Sequence, residues 1–168
     1  MTATWHLAQM NVGTALYPMD DPRMAGFTDR LDAVNALADD SPGFVWRLQS
    51  ESGNATDIKL ADDPLFIVNM SVWDSAEALF DFVYRTVHAK VMAGRRDWFK
   101  RPGEAYQVLW WVPAGHVPTP EEGLARLERL RREGPSAAAF SFKQKFPAPG
   151  GAGPATDMKP DPWCVGWS

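Results

Sequence analysis

The sequence predicts an α+β domain in the order β-α-β-β-α-β with an extra C-terminal helix, the ferredoxin-like split βαβ arrangement. Three observations carry that expectation. Segments alternating at period two are interleaved with segments whose apolar residues recur every three or four positions. Three helix starts are marked by capping residues, two of them with proline at the first helical position. The chain has 168 residues, 45% hydrophobic and 23% charged, which suits one core and not two. The globular domain is expected over 1–147, with a Pro/Gly-rich tail over 148–168.

Taken in order, Trp5 to Val12 alternates Trp5, Leu7, Gln9 and Asn11 against His6, Ala8, Met10 and Val12, the pattern of a strand. Asp21-Pro22 then opens a helix whose apolar face is Met24, Phe27, Leu31, Val34 and Leu37, and Pro42-Gly43 stops it. Phe44 to Gln49 reads as a second strand. The Gly-, Asn- and Asp-rich stretch ESGNATDIKLADDP reads as a loop to a third strand, Leu65 to Trp73. A long helix follows over Asp74 to Phe99, with Asp74 and Glu77 as a capping box and Gly94 as the place where it bends or breaks. Ala105 to Val112 is a fourth strand. Thr119-Pro120-Glu121-Glu122 starts a short helix carrying Leu124, Leu127 and Leu130, which Gly134-Pro135 ends. Phe140, Phe142 and Phe146 mark a fifth, edge strand, and Trp163 and Trp167 in the tail are expected to fold back on an aromatic patch.

Composition excludes several function classes. The net charge is −4, and no basic run is interleaved with aromatics, so neither nucleic acid nor a membrane surface is an expected partner. A single cysteine, Cys164, excludes an internal disulfide and a Cys-rich zinc site. No signal segment or run of about eighteen apolar residues is present, so a soluble, cytoplasmic protein is expected. Eight tryptophans and nine phenylalanines point instead to a small flat ligand or an aromatic subunit interface.

Two stretches supply candidate site residues. In the third strand Phe66, Val68, Met70 and Val72 form an apolar set suited to the helix-packed face, leaving Ile67, Asn69, Ser71 and Trp73 for the opposite face. Polar groups in mid-strand need partners, so Asn69, Ser71 and Asn11 are expected in a wet pocket on that opposite face. With helices on one face only, the other would be covered by a second copy, which predicts a homodimer that covers Trp46, Trp73 and Trp110. In the long helix Tyr84, His88, Arg95 and Phe99 share one stripe, with Trp98 beside it. The plain alternative is that His88 and Arg95 edge an amphipathic helix and face water.

The segments HLAQMNVG, DDPRMAGF, SPGFVWRLQSESGNAT, NMSVWDSAEALFDFVYRTVHAKVMAGRRDWF and VLWWVPAGHVPTPEEGLARLE resemble the family catalogued as domain of unknown function 3291, over roughly Trp5 to Pro147. That family is similar to the antibiotic-biosynthesis-monooxygenase group of the dimeric α+β barrel superfamily. The stretch from Trp73 through Ser75 and Glu77 to His88 looks like that group's tryptophan, acidic-helix and histidine pattern. The resemblance implies a dimeric barrel with a cavity, and it leaves the chemistry open.

Three functions follow as alternatives. The first is a monooxygenase-like oxidoreductase of secondary metabolism needing no cofactor, in which His88, Asn69 and Arg95 are catalytic. Asn11, Trp46, Ser71, Trp73, Tyr84, Trp98, Phe99 and Trp110 then hold a planar substrate, and His88 is the candidate base because an imidazole titrates near neutral pH. The second is a haem-dependent oxidoreductase or lyase with His88 as the axial ligand, the one metal-ligating role expected here. The third is a binding protein without catalysis, consistent with the lack of a Ser-His-Asp order or a phosphate loop.

Overall fold

The computed structural model describes residues 4–49, 63–85, 94–150 and 156–157. It shows a mixed α+β fold with a four-stranded, fully antiparallel open sheet in the order β2-β3-β1-β4 and three α-helices among the described residues. The sheet strands are β1 (Trp5–Thr14), β2 (Phe44–Arg47), β3 (Phe66–Trp73) and β4 (Gln107–Pro113). The helices are α1 (Ala25–Asp39), α2 (Ala76–Arg85) and α3 (Pro120–Glu133). A small separate ladder joins β5 (Gln144–Lys145) to β6 (Thr156–Asp157).

Register follows the alternation in the strands. Opposite β1, Gln9 faces Ser71, Met10 faces Met70 and Asn11 faces Asn69 on β3, while Ala8 faces Trp110 and Asn11 faces Gln107 on β4. Odd-numbered residues of these three strands therefore share one sheet face and even-numbered residues the other. Strand β2 departs from this simple count. Phe44 pairs with Trp73 but Trp46 pairs with Val72, so a bulge inserts one residue and sends Trp46 to the even face.

The expectation that helices would occupy one face only is overturned. Helix α3 lies on the even face, where Gly123 brings it close enough that a Cβ there would run into the Met10 and Met70 side chains. Leu127 and Leu130 of the same helix are buried. Helices α1 and α2 lie on the odd face, over Gln9, Ser71 and Trp73. The apolar and polar strand sets do separate, but the polar set sits beneath α1 and α2 and not on a bare face. The physical reason is that its side chains hydrogen-bond to one another, which allows a helical cover. The ground for a sheet-to-sheet homodimer is thereby removed: Trp73 and Trp110 are about 1% and 0% exposed in a single chain, and Trp46 is half-buried.

Local signals explain the element ends. Asp21 caps the turn before α1, its carboxylate accepting from the Arg23 N–H. Thr119 Oγ1 accepts from the Glu122 N–H at 3.1 Å to cap α3, and Gly134, at φ 79°, ends it. The α2 cap is Ser75, whose Oγ accepts from the Ala78 N–H at 3.1 Å, one residue after the expected Asp74. Asp74 is held instead in the turn with Gly43, donating its N–H to the Gly43 carbonyl at 2.8 Å. Past Gly94 the chain is no continuation of an α-helix: Arg95–Asp97 is a single 3-10 turn, and Phe99 bridges to Ala15. The expected fifth strand is reduced to β5, with Phe140 bridging Leu109 on the outer edge of β4. Residues Trp163 and Trp167 lie outside the described residues, as does the loop over 50–62. Among the described residues no helix is long and apolar enough to cross a membrane.

Candidate functional site

On the odd face the two central strands carry a row of uncharged polar side chains. Gln9 Nε2 donates to Asn69 Oδ1 at 2.9 Å and to Ser71 Oγ at 2.8 Å. Trp73 Nε1 donates to the same Ser71 Oγ at 2.9 Å. Asn11 Nδ2 makes longer contacts with Gln9 Oε1 at 3.4 Å and Asn69 Oδ1 at 3.3 Å. Gln9, Asn11 and Ser71 are buried, while Asn69 is exposed in mid-strand. The alternation of β1 and β3 puts these groups on one face, and the antiparallel register brings them level.

Above this row lies a small cleft with about 40 Å³ of enclosed space, open to solvent at its mouth. Its floor is Gln9, Asn69, Ser71 and Trp73; α1 contributes Val34, Asn35 and Ala38, and α2 contributes Leu79, Phe82 and Val83. Both helices present positions spaced by three and four, the stripe that faces a sheet. Trp73 and Phe82 stack with ring centroids 5.1 Å apart at 27°, forming an aromatic wall. Arg47 closes one side and is bound to Asp39, Nε to Oδ1 at 2.8 Å.

The chemistry of the row follows from counting donors. Ser71 Oγ already receives two N–H groups, so its own proton is the one it has to donate. Asn69 turns its Oδ1 toward Gln9 and Asn11, which leaves its NH₂ as a donor. The cleft floor thus offers O–H and N–H donors in an apolar frame, without a formal charge on the floor itself.

Of the residues singled out from sequence, Asn69, Ser71 and Trp73 come together on this floor, with Asn11 bonded to Asn69 beside it. Arg95, Trp98 and Phe99 do not join them. Trp98 and Phe99 pack with Ala15, Met24 and Ile67 in a second core cluster. Arg95 is buried beside it, donating to the Val12 carbonyl at 3.1 Å and lying 4.7 Å over the Tyr106 ring and 4.9 Å over that of Phe99. Tyr84 turns to Phe80, 4.2 Å between centroids, and to Phe142. Trp46 and Trp110 are on the opposite, even face. His88 lies outside the described residues. Of the other histidines, His6 is half-buried and His116 is exposed against Glu122 at 3.0 Å.

Sequence reasoning missed the α1 wall and Arg47, and it placed Gln9 on the polar face without making it a site residue. The signal for Gln9 was present, since it occupies the same alternating set as Asn11. The signal for Asn35 and Ala38 was the helical spacing from Val34, which the choice of Leu31 and Leu37 as the inner face obscured. Among the described residues no group of three or more His, Cys, Asp and Glu could hold a metal ion. The described cleft lining also contains no His, Cys, Met or Tyr, so none of it can ligate a haem iron.

Among solved structures, the crystal structure of NE2512, a protein of unknown function from Nitrosomonas europaea, aligns with this chain at a TM-score of 0.42 and 15% identity. That alignment covers 71% of this chain and 98% of the other. No curated protein matches. The family described as "Domain of unknown function (DUF3291)" matches residues 6–156, most of the chain, and the protein belongs to that family.

Proposed function

We propose that this protein binds a small planar organic molecule in the cleft between the sheet and helices α1 and α2. The ligand's ring system lies against Trp73 and Phe82, and its polar edge meets the Gln9, Asn69 and Ser71 row. The carrying observation is Ser71: a hydroxyl that accepts two buried N–H groups has one proton left, and it lines the cleft. That proton faces the open cleft, where a ligand oxygen can accept it.

As the finer reading, the fold is the ferredoxin-like split βαβ, which the strand order β2-β3-β1-β4 supports, and the activity is that of a monooxygenase-like oxidoreductase. Donors aimed at a substrate oxygen stabilise the phenolate or enolate that reacts with dioxygen. In that reading His88 is the base that removes the substrate proton. The haem alternative rests on His88 alone and draws nothing from the described lining. The homodimer is retained as a proposal, to be decided by sedimentation.

A second reading, binding without catalysis, is favoured by one observation. The described lining holds no carboxylate, imidazole or thiol, and its ionisable group, Arg47, is already paired with Asp39.

Calorimetric titration with 2-naphthol tests the binding reading. Wild type is expected to bind, and Ser71→Ala to bind roughly tenfold more weakly, the loss of one hydrogen bond to a ligand oxygen. Absence of binding, or equal affinity in the variant, overturns it. Oxygen uptake with the same compound then separates the oxygenase from the binding protein.

A further inference from the structure

We infer that Gln9 sets the hydrogen-bond polarity of the cleft floor, and that the ligand therefore presents to it an oxygen bearing no hydrogen, the carbonyl of an aryl ketone or quinone. The inference rests on the cleft reading above and deepens it, naming the ligand class and the residue that selects it. Gln9 is 2% exposed and lines the cleft with Asn69 and Ser71. It is the member of the row bonded to each of Asn11, Asn69 and Ser71, accepting from the first at Oε1 and donating to the other two from Nε2. Turning its amide alone would set Oε1 against Asn69 Oδ1 and its NH₂ against that of Asn11, like against like on both sides. The three amides therefore hold their orientation together, with Gln9 as the link.

That orientation decides what the floor can offer. Asn69 Oδ1 accepts from both Gln9 and Asn11, and Ser71 Oγ accepts from both Gln9 and Trp73, so the lone pairs of each oxygen are taken. What Asn69 and Ser71 have left for a ligand is an N–H and an O–H. A carbonyl oxygen has two lone pairs and no hydrogen, and can accept from both. A phenol brings a hydrogen of its own to meet these donors, and an ammonium brings only hydrogens. The floor carries no formal charge, and the Arg47 guanidinium at its side is bound to Asp39, so a neutral carbonyl enters without a charge to be compensated. The enclosed space of about 40 Å³ has room for roughly three water-sized groups, enough for one functional group and not for a hydrated ion.

The experiment compares 2-acetonaphthone, 2-naphthol and 2-naphthylmethylamine by calorimetry at neutral pH and physiological ionic strength. Their polar groups are respectively an acceptor only, an acceptor with a donor, and donors only. Wild type is expected to bind the ketone roughly tenfold more tightly than 2-naphthol and roughly a hundredfold more tightly than the amine, about one hydrogen bond per step. Gln9→Leu and Gln9→Met remove the linking amide, which frees the Asn69 amide to turn and the Ser71 proton to rotate. In both variants the ratio of ketone to amine affinity should collapse to under about fivefold, whereas loss of packing alone would shift all three affinities together and leave the ratio standing. Binding of 2-naphthol by wild type with no preference for the ketone, or with a preference for the amine, overturns the ligand class and leaves the cleft reading intact. A ratio unchanged in the variants, or failure of both variants to fold, overturns the role of Gln9, while the wild-type order still decides the ligand class. Absence of binding by all three compounds overturns the cleft reading itself.

Discussion

Ser71→Ala is the substitution that tests the polar row most directly, because one oxygen serves two buried donors. Removing it has unequal consequences for them. Gln9 Nε2 keeps Asn69 Oδ1 at 2.9 Å, so it is not orphaned. Trp73 Nε1 has Ser71 Oγ as its acceptor at 2.9 Å, and Trp73 is 1% exposed. The variant therefore leaves one indole N–H buried and unmatched, at a cost of about 2 kcal/mol within a range of roughly 1–3. At about 2–4 °C per kcal/mol for a domain of this size, the melting temperature should fall by roughly 4–8 °C. Urea unfolding followed by tryptophan fluorescence measures the same quantity at constant temperature. The mechanism is isolated by repeating Ser71→Ala in a Trp73→Phe background, where no N–H remains to be orphaned. There the cost should drop below about 1 kcal/mol, giving a coupling of at least 1 kcal/mol between the two sites. A loss under about 0.5 kcal/mol in the wild-type background, or a coupling near zero, would refute the hydrogen-bonded row and the proton count at Ser71 built on it.

Other parts of the structure give sharper or milder effects. Gly43→Ala should destabilise the protein by about 2–4 kcal/mol in chemical denaturation, because φ there is +84° and an added Cβ runs into the Ala78 Cβ and the Asp74 carboxylate. The side-chain and backbone hydrogen bonds from Arg23 hold the Asp21 carboxyl down to about 2. A depressed carboxyl stabilises the fold fully above its unfolded value near 3.9 and loses that contribution as pH falls through about 2. Asp21→Asn should therefore flatten the acid limb of stability in that window by lowering stability modestly at neutral pH and leaving it little changed below about pH 2, while carbon-detected NMR of the wild type should place the Asp21 midpoint near 2. Arg95→Met, which keeps length but removes the guanidinium over Tyr106 and the bond to the Val12 carbonyl, should lower stability by about 1–3 kcal/mol without weakening 2-naphthol binding, since Arg95 is not on the cleft. Weakened binding at unchanged stability would instead return Arg95 to the site.

What could be read from the sequence was local, and what could not was relative. The alternation in Phe66–Trp73 separated Asn69 and Ser71 from Val68 and Met70, because period two is a property of the strand itself. Thr119-Pro120 marked the start of α3 for the same reason. The cover over each sheet face was not legible, since it depends on how closely a helix can approach, and Gly123 against Met10 and Met70 decides that only in three dimensions. Trp46 was misjudged because the bulge between Phe44 and Trp46 moves it across the sheet, and a bulge leaves no mark in the alternation. Asp74 and Ser75 both qualified as the α2 cap. The choice fell to Ser75 because the Gly43 turn engages Asp74, a contact more than thirty residues distant in the chain. Tyr84 and Arg95 shared a helical stripe on paper, but the 3-10 turn at Arg95–Asp97 ends the periodicity that would have aligned them.

The two sheet faces differ in a way that bears on function. The even face is built from Ala8, Met10, Val68, Met70, Val72, Val108 and Trp110, all buried, and hydrophobic packing against α3 accounts for it apart from the Trp110 indole N–H, which has no partner. The odd face carries Gln9, Asn11, Asn69, Ser71 and Gln107 at the corresponding positions. Mutual hydrogen bonds offset part of the cost of placing amides there, yet no folding demand requires five polar side chains where a mirror set of aliphatics folds well on the other side. The capacity left over at the cleft is the Ser71 proton and the Asn69 NH₂, side by side on its floor. Because these groups are fixed on a paired strand, they are held in place before any ligand arrives, which lowers the ordering cost of binding. Substitutions on the even face should therefore change stability alone, whereas those on the odd face should change stability and ligand affinity separately. Ser71→Ala should lower both, and Gln107→Leu, which replaces an unmatched buried amide away from the cleft, should leave the fold at least as stable without weakening 2-naphthol binding.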